Sequence, residues 1–222
     1  TEFYGCSVKA GEWLFPKKIV NSSKFCVIHN AVDREKYKYS VQKREEIRGS
    51  MGITDQFVIG HVGNFCYQKN HYFLLDVFEE VHKKDPNTVL LLAGDGVRFE
   101  KVRQIVAEKN LEDVVKLLGR RSDTDYLYQG MDAFLLPSNF EGLPIAGIEA
   151  QSAGLPCFMS DEITKESKIT KACYFIPLKS GAKYWAEEIL DNRMERQSAE
   201  FLDNAEQYDL ANQDQELKSL IR

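Results

Sequence analysis

The sequence predicts an α/β protein built on a doubly wound parallel sheet, with helical segments appended at both ends. Three observations predict it. Short apolar runs at Phe57–Val62, Thr88–Ala93, Val114–Leu118, Ala133–Leu136, Cys157–Ser160 and Tyr174–Ile176 alternate with longer amphipathic stretches. The runs are apolar on both sides, as strands must be when helices cover both faces of a sheet. A chain of 222 residues, 43% of them hydrophobic, can also bury a sizeable core.

Taken in order, Gly5–Phe15 is helical in pattern, Lys24–His29 is strand-like and Asn30–Asp33 is rich in turn formers. The first apolar run leads into the helical stretch Tyr72–His82, the second into Arg98–Glu108 and the third into Asp125–Tyr128. The fourth leads into Pro144–Ala153, where Pro144 suits a first helical turn because its missing N–H has no helical partner to lose. Tyr184–Asn192, Glu195–Gln207 and Gln213–Ile221 follow as charged helical segments, read as solvated faces.

Composition excludes several classes. A net charge of -5 argues against nucleic acid as the main partner, since that polymer is held largely by neutralising its phosphates. No apolar run approaches the roughly 20 residues that cross a bilayer. The five cysteines, at 6, 26, 66, 157 and 173, show no C-x-x-C and no zinc-ligand spacing, and read as reduced thiols. A cytoplasmic protein is expected, able to work at the inner face of a membrane. The chain starts at Thr1 in an apolar, aromatic segment, which reads as part of something longer.

Ligands of such sheets sit outside the carboxyl ends of the strands, so the segments after each strand carry the chemistry. In Ser138-Asn139-Phe140-Glu141-Gly142-Leu143-Pro144-Ile145-Ala146-Gly147-Ile148-Glu149, a helix starts at that edge. Its free N–H groups and positive dipole end suit a diphosphate. Helical side chains lean toward the N-terminus, so Glu149 should point back to the mouth that Glu141 occupies from the loop. Two carboxylates beside a phosphate call for something else to bind, and a vicinal diol matches. The plainer reading makes Glu141 a cap or a solvated residue and Glu149 an ordinary surface glutamate.

In Gly63-Asn64-Phe65-Cys66-Tyr67-Gln68-Lys69, Lys69 can bring a point charge to the same edge, although alone it would read as a solvated loop lysine. The P-loop spacing is absent. Gly94-Asp95-Gly96 is a tight turn rather than a dinucleotide fingerprint, because Phe99 stands where a third glycine is needed. Asp123-Thr124-Asp125 could bridge a metal to a sugar diphosphate, but Ser122 or Asp123 before a helix is more simply an N-cap. Arg120 and Arg121 then lie near the ligand edge. The four histidines show no H-E-x-x-H spacing and read as structural, and Ser138 lacks the glycines of a nucleophile elbow.

Together, Glu141-x7-Glu149, Ala153-Gly154-Leu155-Pro156, the Gly63–Lys69 loop, Gly94-Asp95-Gly96 and Asp132–Ser138 resemble retaining glycosyltransferases of the GT-B fold. They are most similar to the large E-x7-E family (family 4, group 1) of exopolysaccharide and capsule assembly. The resemblance covers the whole chain and implies that it is the Rossmann-like, donor-binding half. Residues 1–33 would be the end of the acceptor domain and the interdomain link, 34–206 the donor domain, and 207–222 a helix crossing back to the acceptor domain.

By the same resemblance, Lys69 binds the donor diphosphate, the Leu143 and Ile145 N–H groups hold phosphate, Glu149 binds the ribose hydroxyls and Glu141 meets the transferred sugar. Glu141 and Lys69 would be the catalytic pair. Gly63, Asn64, Gly142 and Pro144 complete the donor site, and Gly119 and Arg120 hold the base. The family commonly has an arginine where this chain has Asn64. The implied reaction is hexosyl transfer with retention from a nucleotide-sugar, UDP-linked by expectation, to a saccharide or lipid-linked acceptor. No cofactor and no metal are expected, the nucleotide-sugar being a substrate. A non-catalytic nucleotide-sugar-binding module and an epimerase-like enzyme are the alternatives.

Overall fold

The computed structural model describes residues 1–213 of the chain. The six expected apolar runs are strands: β3 (Phe57–Val62), β4 (Thr88–Ala93), β5 (Val115–Gly119), β6 (Ala133–Leu136), β7 (Cys157–Ser160) and β8 (Cys173–Ile176). They form one parallel sheet in the order β5-β4-β3-β6-β7-β8. The chain therefore winds outward from β3 to β5, returns to the centre at β6 and winds out the other way. The strand order reverses between β3 and β6, which makes the ends of those two strands the place for a ligand crevice.

Alternate residues of each strand enter two different cores, as the period of two demands. Val58, Phe134 and Met159 pack into one core and Ile59, Leu135 and Phe158 into the other. The helices α5 (His71–Lys84), α6 (Phe99–Glu108) and α9 (Gly181–Asp191) close the second core through residues such as Leu74, Val102 and Trp185. The helices α7 (Thr124–Gly130) and α8 (Ile145–Ser152) close the first through Tyr128 and Ile148, joined by α4 (Val41–Ser50).

One polar cluster pins α4 to the sheet. Asp132 accepts from Arg44 and Arg48, and its Oδ2 also accepts the backbone N–H of Val58 at 2.7 Å. Arg48, itself buried, donates to the carbonyls of Gly130, Thr54 and Gln56. A buried ion pair is tolerable only when its remaining hydrogen-bonding groups are satisfied, and here they are.

Three expectations need correction. The helical reading of Gly5–Phe15 starts too early, since Gly5 ends β1 (Phe3–Gly5), which pairs in parallel with β2 (Phe25–Val27). The helix α1 (Val8–Leu14) begins only after Ser7, whose side chain caps it. Pro144 is the N-cap of α8 rather than its first residue, with extended backbone at φ -77° and ψ 105°. Glu195–Gln207 is not a regular helix; residues 193–200 are irregular and a 3-10 helix spans Asp203–Tyr208. Charged side chains there serve distant partners, Arg193 pairing with Asp85 and Arg196 lying over the Tyr39 ring. The short helices α2 (Lys17–Val20) and α3 (Arg34–Tyr37) complete the order. The expected helix Gln213–Ile221 falls almost wholly on residues 214–222, outside the described residues. Among the described residues no helix is long and apolar enough to cross a membrane.

Candidate active site

The loop after β3 and the loop after β6 meet at the reversal of strand order. Asn139 fastens them, its N–H donating to Gln68 O at 2.8 Å and its side-chain amide to Tyr67 O at 2.7 Å. This juxtaposition brings together Lys69 and Glu141: Lys69 Nζ donates to Glu141 Oε1 at 2.6 Å. Gln68 donates to Glu141 Oε2 at 2.8 Å and Ser138 Oγ to Oε1 at 3.0 Å. Glu141 is thus a buried carboxylate with a partner on each oxygen, and neither a helix cap nor a solvated residue.

Lys69 reaches Glu141 by passing over Gly63. A Cβ on Gly63 would come within 3.2 Å of Lys69 Cε and 3.0 Å of His61 Nε2, so glycine leaves the lysine stem room to pass. The adjoining turn is tighter. Gly94 has φ +143°, and a Cβ there would lie 1.9 Å from the Gly63 carbonyl oxygen, so the loops after β3 and β4 touch backbone to backbone.

Two histidines lie under the Lys69 loop. The His61 ring meets the His71 ring edge to face, with centroids 4.8 Å apart, and His61 Nδ1 is 2.8 Å from Leu135 O. Burial holds His61 well below the ordinary histidine range, with His71 adding to the effect. Burial, then the charges of Lys69 and Arg98, lowers His71 to about 4. Both rings are therefore neutral at pH 7, and they add no positive charge beneath Lys69.

Beside this pair an open cleft of ≈ 470 Å³ is lined by Gly63, Asn64, Gly94, Gly96, Arg120 and Thr124, among others. Arg120 is exposed, while Arg121 is held by Asp123 in a two-point pair at 2.8 and 2.6 Å. That pairing lowers the Asp123 pKa, and it takes the Asp123 side chain away from the cap that its position offers. Asp125 pairs instead with Lys36 at 3.3 Å. The two carboxylates of Asp123-Thr124-Asp125 are thus committed to different cations, and among the described residues no group of three or more His, Cys, Asp or Glu converges.

Glu149 lies in the second turn of α8 and has partners of its own. Tyr37 OH donates to Oε1 at 2.7 Å and Tyr128 OH to Oε2 at 2.9 Å. The expected residues thus fall into three groups at one sheet edge: Lys69 with Glu141, Gly63 and Asn64 with Arg120 on the cleft, and Glu149 behind two tyrosines. Gly119, whose φ of +64° ends β5, delivers Arg120 to the cleft. Gly142 is held from the N-terminal segment, since Ser7 Oγ donates to its carbonyl at 3.0 Å and also accepts from Ala10 N at 3.0 Å. Leu143 is buried in the core, Pro144 caps α8, and Ile145 opens that helix with its side chain exposed. Sequence reasoning missed Gln68, Tyr37, Tyr128 and the role of Ser138. Only Gln68, next to Lys69 in a strand-end loop, carried a local signal.

A doubly wound sheet with paired loops at its reversal point defines the class of fold, and comparison with known proteins defines the family. The family described as "Glycosyl transferases group 1" matches residues 43–209. The chain belongs to this family. EpsF of Bacillus subtilis (strain 168) is 34% identical over 167 residues, which are 75% of this chain and 44% of that protein. A UDP-Gal:alpha-D-GlcNAc-diphosphoundecaprenol alpha-1,3-galactosyltransferase of Escherichia coli is 33% identical over 146 residues, 64% of this chain and 38% of that one. The chain thus spans less than half the length of these relatives. Among solved structures, Anabaena HepE in complex with UDP and glucose superposes with a TM-score of 0.77 at 18% identity, covering 99% of this chain and 62% of that one. Sucrose-phosphate synthase from Thermosynechococcus elongatus gives 0.78 at 17% identity, with 99% and 57% covered. These structures share the fold, which is the GT-B half expected from the motifs.

Proposed function

We propose that the chain is the donor half of a glycosyltransferase. In this reading it binds a UDP-activated sugar and supports transfer, with retention, to a saccharide or lipid-linked acceptor in polysaccharide assembly. The observation that carries the reading is the Lys69–Glu141 pair, brought by two strand-end loops to the reversal of strand order. A cation there can take the diphosphate of a leaving nucleotide, and the N–H groups that open α8 add a second anion contact. Those groups serve the leaving charge in place of a metal. Displaced from Lys69, Glu141 is free to face the transferred sugar.

The open cleft beside the pair then takes the nucleoside, with Arg120 over the base, and Glu149 binds the ribose diol. The relatives support the assignment: one is named for UDP-galactose and for a diphosphoundecaprenol acceptor, and the HepE structure holds UDP and glucose. Acceptor binding is assigned to a domain preceding residue 34, with residues 34–206 as the donor domain and peripheral attachment to a membrane where the acceptor is lipid-linked. A second reading, a nucleotide-sugar-binding module without catalysis, is favoured by one residue: Asn64 lines the cleft without the charge of the family arginine.

Calorimetric titration with UDP, GDP and ADP tests the proposal. UDP should bind with the highest affinity. Absence of binding by all three nucleotides would remove the donor-site reading, and tighter binding of GDP or ADP would replace the base.

A further inference from the structure

The two oxygens of Glu149 are engaged in a way that the donor-site reading does not require. Each accepts one phenolic hydrogen, Oε1 from Tyr37 at 2.7 Å and Oε2 from Tyr128 at 2.9 Å. A carboxylate offers about four lone-pair positions, two on each oxygen. One tyrosine on each oxygen leaves one position free on each, which is the demand of two adjacent hydroxyl groups. An unsupported glutamate would have to lose its side-chain rotation on binding, and two fixed donors remove most of that cost beforehand.

The tyrosines are themselves fixed. Tyr128 is fully buried, edge-on to Phe134 at 5.7 Å and to Tyr37 at 5.8 Å. Tyr37 ends α3, which Gln129 clamps by donating to Tyr37 O at 3.0 Å and accepting from Ser40 N at 2.9 Å. Burial, followed by the neighbouring Glu149, pushes both phenols up from their ordinary value, so they remain donors throughout the physiological range. Thr124, on the cleft wall, adjoins the Tyr37 hydroxyl and so connects this cluster with the cleft. The arrangement differs from ordinary packing in that the two hydroxyls converge on one half-buried carboxylate from two separate elements.

We infer that Tyr37 and Tyr128 are positioning residues that hold the Glu149 carboxylate ready for a vicinal diol, and that they set the preference of this site for ribonucleotides. The inference rests on the proposed donor site and adds a determinant of its specificity.

The test is calorimetric titration of the 222-residue chain and of its Tyr37→Phe and Tyr128→Phe variants with UDP and with 2′,3′-dideoxy-UDP. Each variant removes one oxygen and leaves the ring that packs. Wild type should prefer UDP. Each variant should lower the UDP affinity by about fivefold, the worth of one hydrogen bond of roughly 1 kcal/mol. The dideoxy affinity should stay within about twofold of wild type, the change expected away from the lost contact. A merely structural tyrosine would move both ligands equally or neither. Full retention of the wild-type preference in both variants, each shown to be folded by its near-UV circular dichroism, overturns the inference and leaves the donor site standing. Equal affinity of wild type for the two ligands overturns it together with the ribose assignment of Glu149. Absence of UDP binding overturns the donor site itself.

Discussion

Lys69 Nζ stands 2.6 Å from Glu141 Oε1, and the two side chains retain only 14% and 7% of their exposure. The cation proposed to meet a diphosphate is already paired with a carboxylate. On the proposed function binding would be an exchange, in which an anionic ligand takes Lys69 and releases Glu141 toward whatever the phosphate carries. The cost of parting a nearly buried pair is met only by a ligand that supplies its own negative charge.

Glu141→Gln should therefore separate the nucleotide from the nucleotide-sugar. With the competing charge gone, UDP should bind about fivefold tighter, a gain of roughly 1 kcal/mol. Glycosyl transfer by the full-length enzyme should be lost. Calorimetry with UDP and a transfer assay read the two effects, and weaker UDP binding would show that Glu141 helps to hold the nucleotide.

Lys69→Ala should weaken UDP by about tenfold to a hundredfold, the range for a charged hydrogen bond, and leave uridine almost unaffected. Equal losses for the two ligands would place Lys69 away from the phosphates.

Asn64→Arg should add a cation to a cleft wall that already carries Arg120 and the Asp123-paired Arg121. We expect about a fivefold rise in UDP affinity, decreasing with added salt because the new charge faces an open cleft. An unchanged affinity would mean that the position faces away from phosphate.

Asp132→Asn should destabilise the fold by about 3 kcal/mol, because it leaves two guanidinium groups short of their common anion. Urea unfolding measures this. UDP affinity of the folded variant should remain within about twofold of wild type, as expected for a site away from the ligand.

His71 should make the fold acid-sensitive. Its folded pKa is lowered from 6.5 to about 4, so below 6.5 the unfolded chain takes a proton that the native state refuses. Stability contributed by the neutral ring is complete above 6.5 and is lost as pH falls toward 4. Over that span His71 contributes about 3 kcal/mol. Burial first, and then the charges of Lys69 and Arg98, keep the proton away, with the neutral His61 ring packed edge-on against it. His71→Phe should flatten the dependence of the urea midpoint on pH between those limits, and an unaltered slope would assign the acid sensitivity to other groups.

The sheet was legible because its strands are mostly apolar runs, with β4, β6 and β7 buried along their whole length, a pattern that needs no knowledge of partners. β1 was not, since three residues ahead of a helix give no periodicity to read. The stretch from Arg34 to Ser50 shows no readable apolar face, because its buried positions include Arg48 and Tyr37, which look like surface residues until Asp132 and Glu149 are placed beside them. The site divides in the same way. Lys69, Arg120 and Glu141 could be found as charged or polar residues in loops that follow strands. Tyr37 and Tyr128 could not, because a hydrogen bond between residues far apart in sequence leaves no local trace.

Ser7 ties the start of the first helix to the Gly142 loop by a hydrogen bond, beside the edge-on packing of Trp13 on Phe140, and its hydroxyl has one hydrogen to give and is also the acceptor for Ala10 N–H. Any ligand that draws the Gly142 carbonyl away alters the partner of an amide in a different part of the chain. Hydrogen exchange at Ala10 should then report the occupancy of the site without a probe in the cleft.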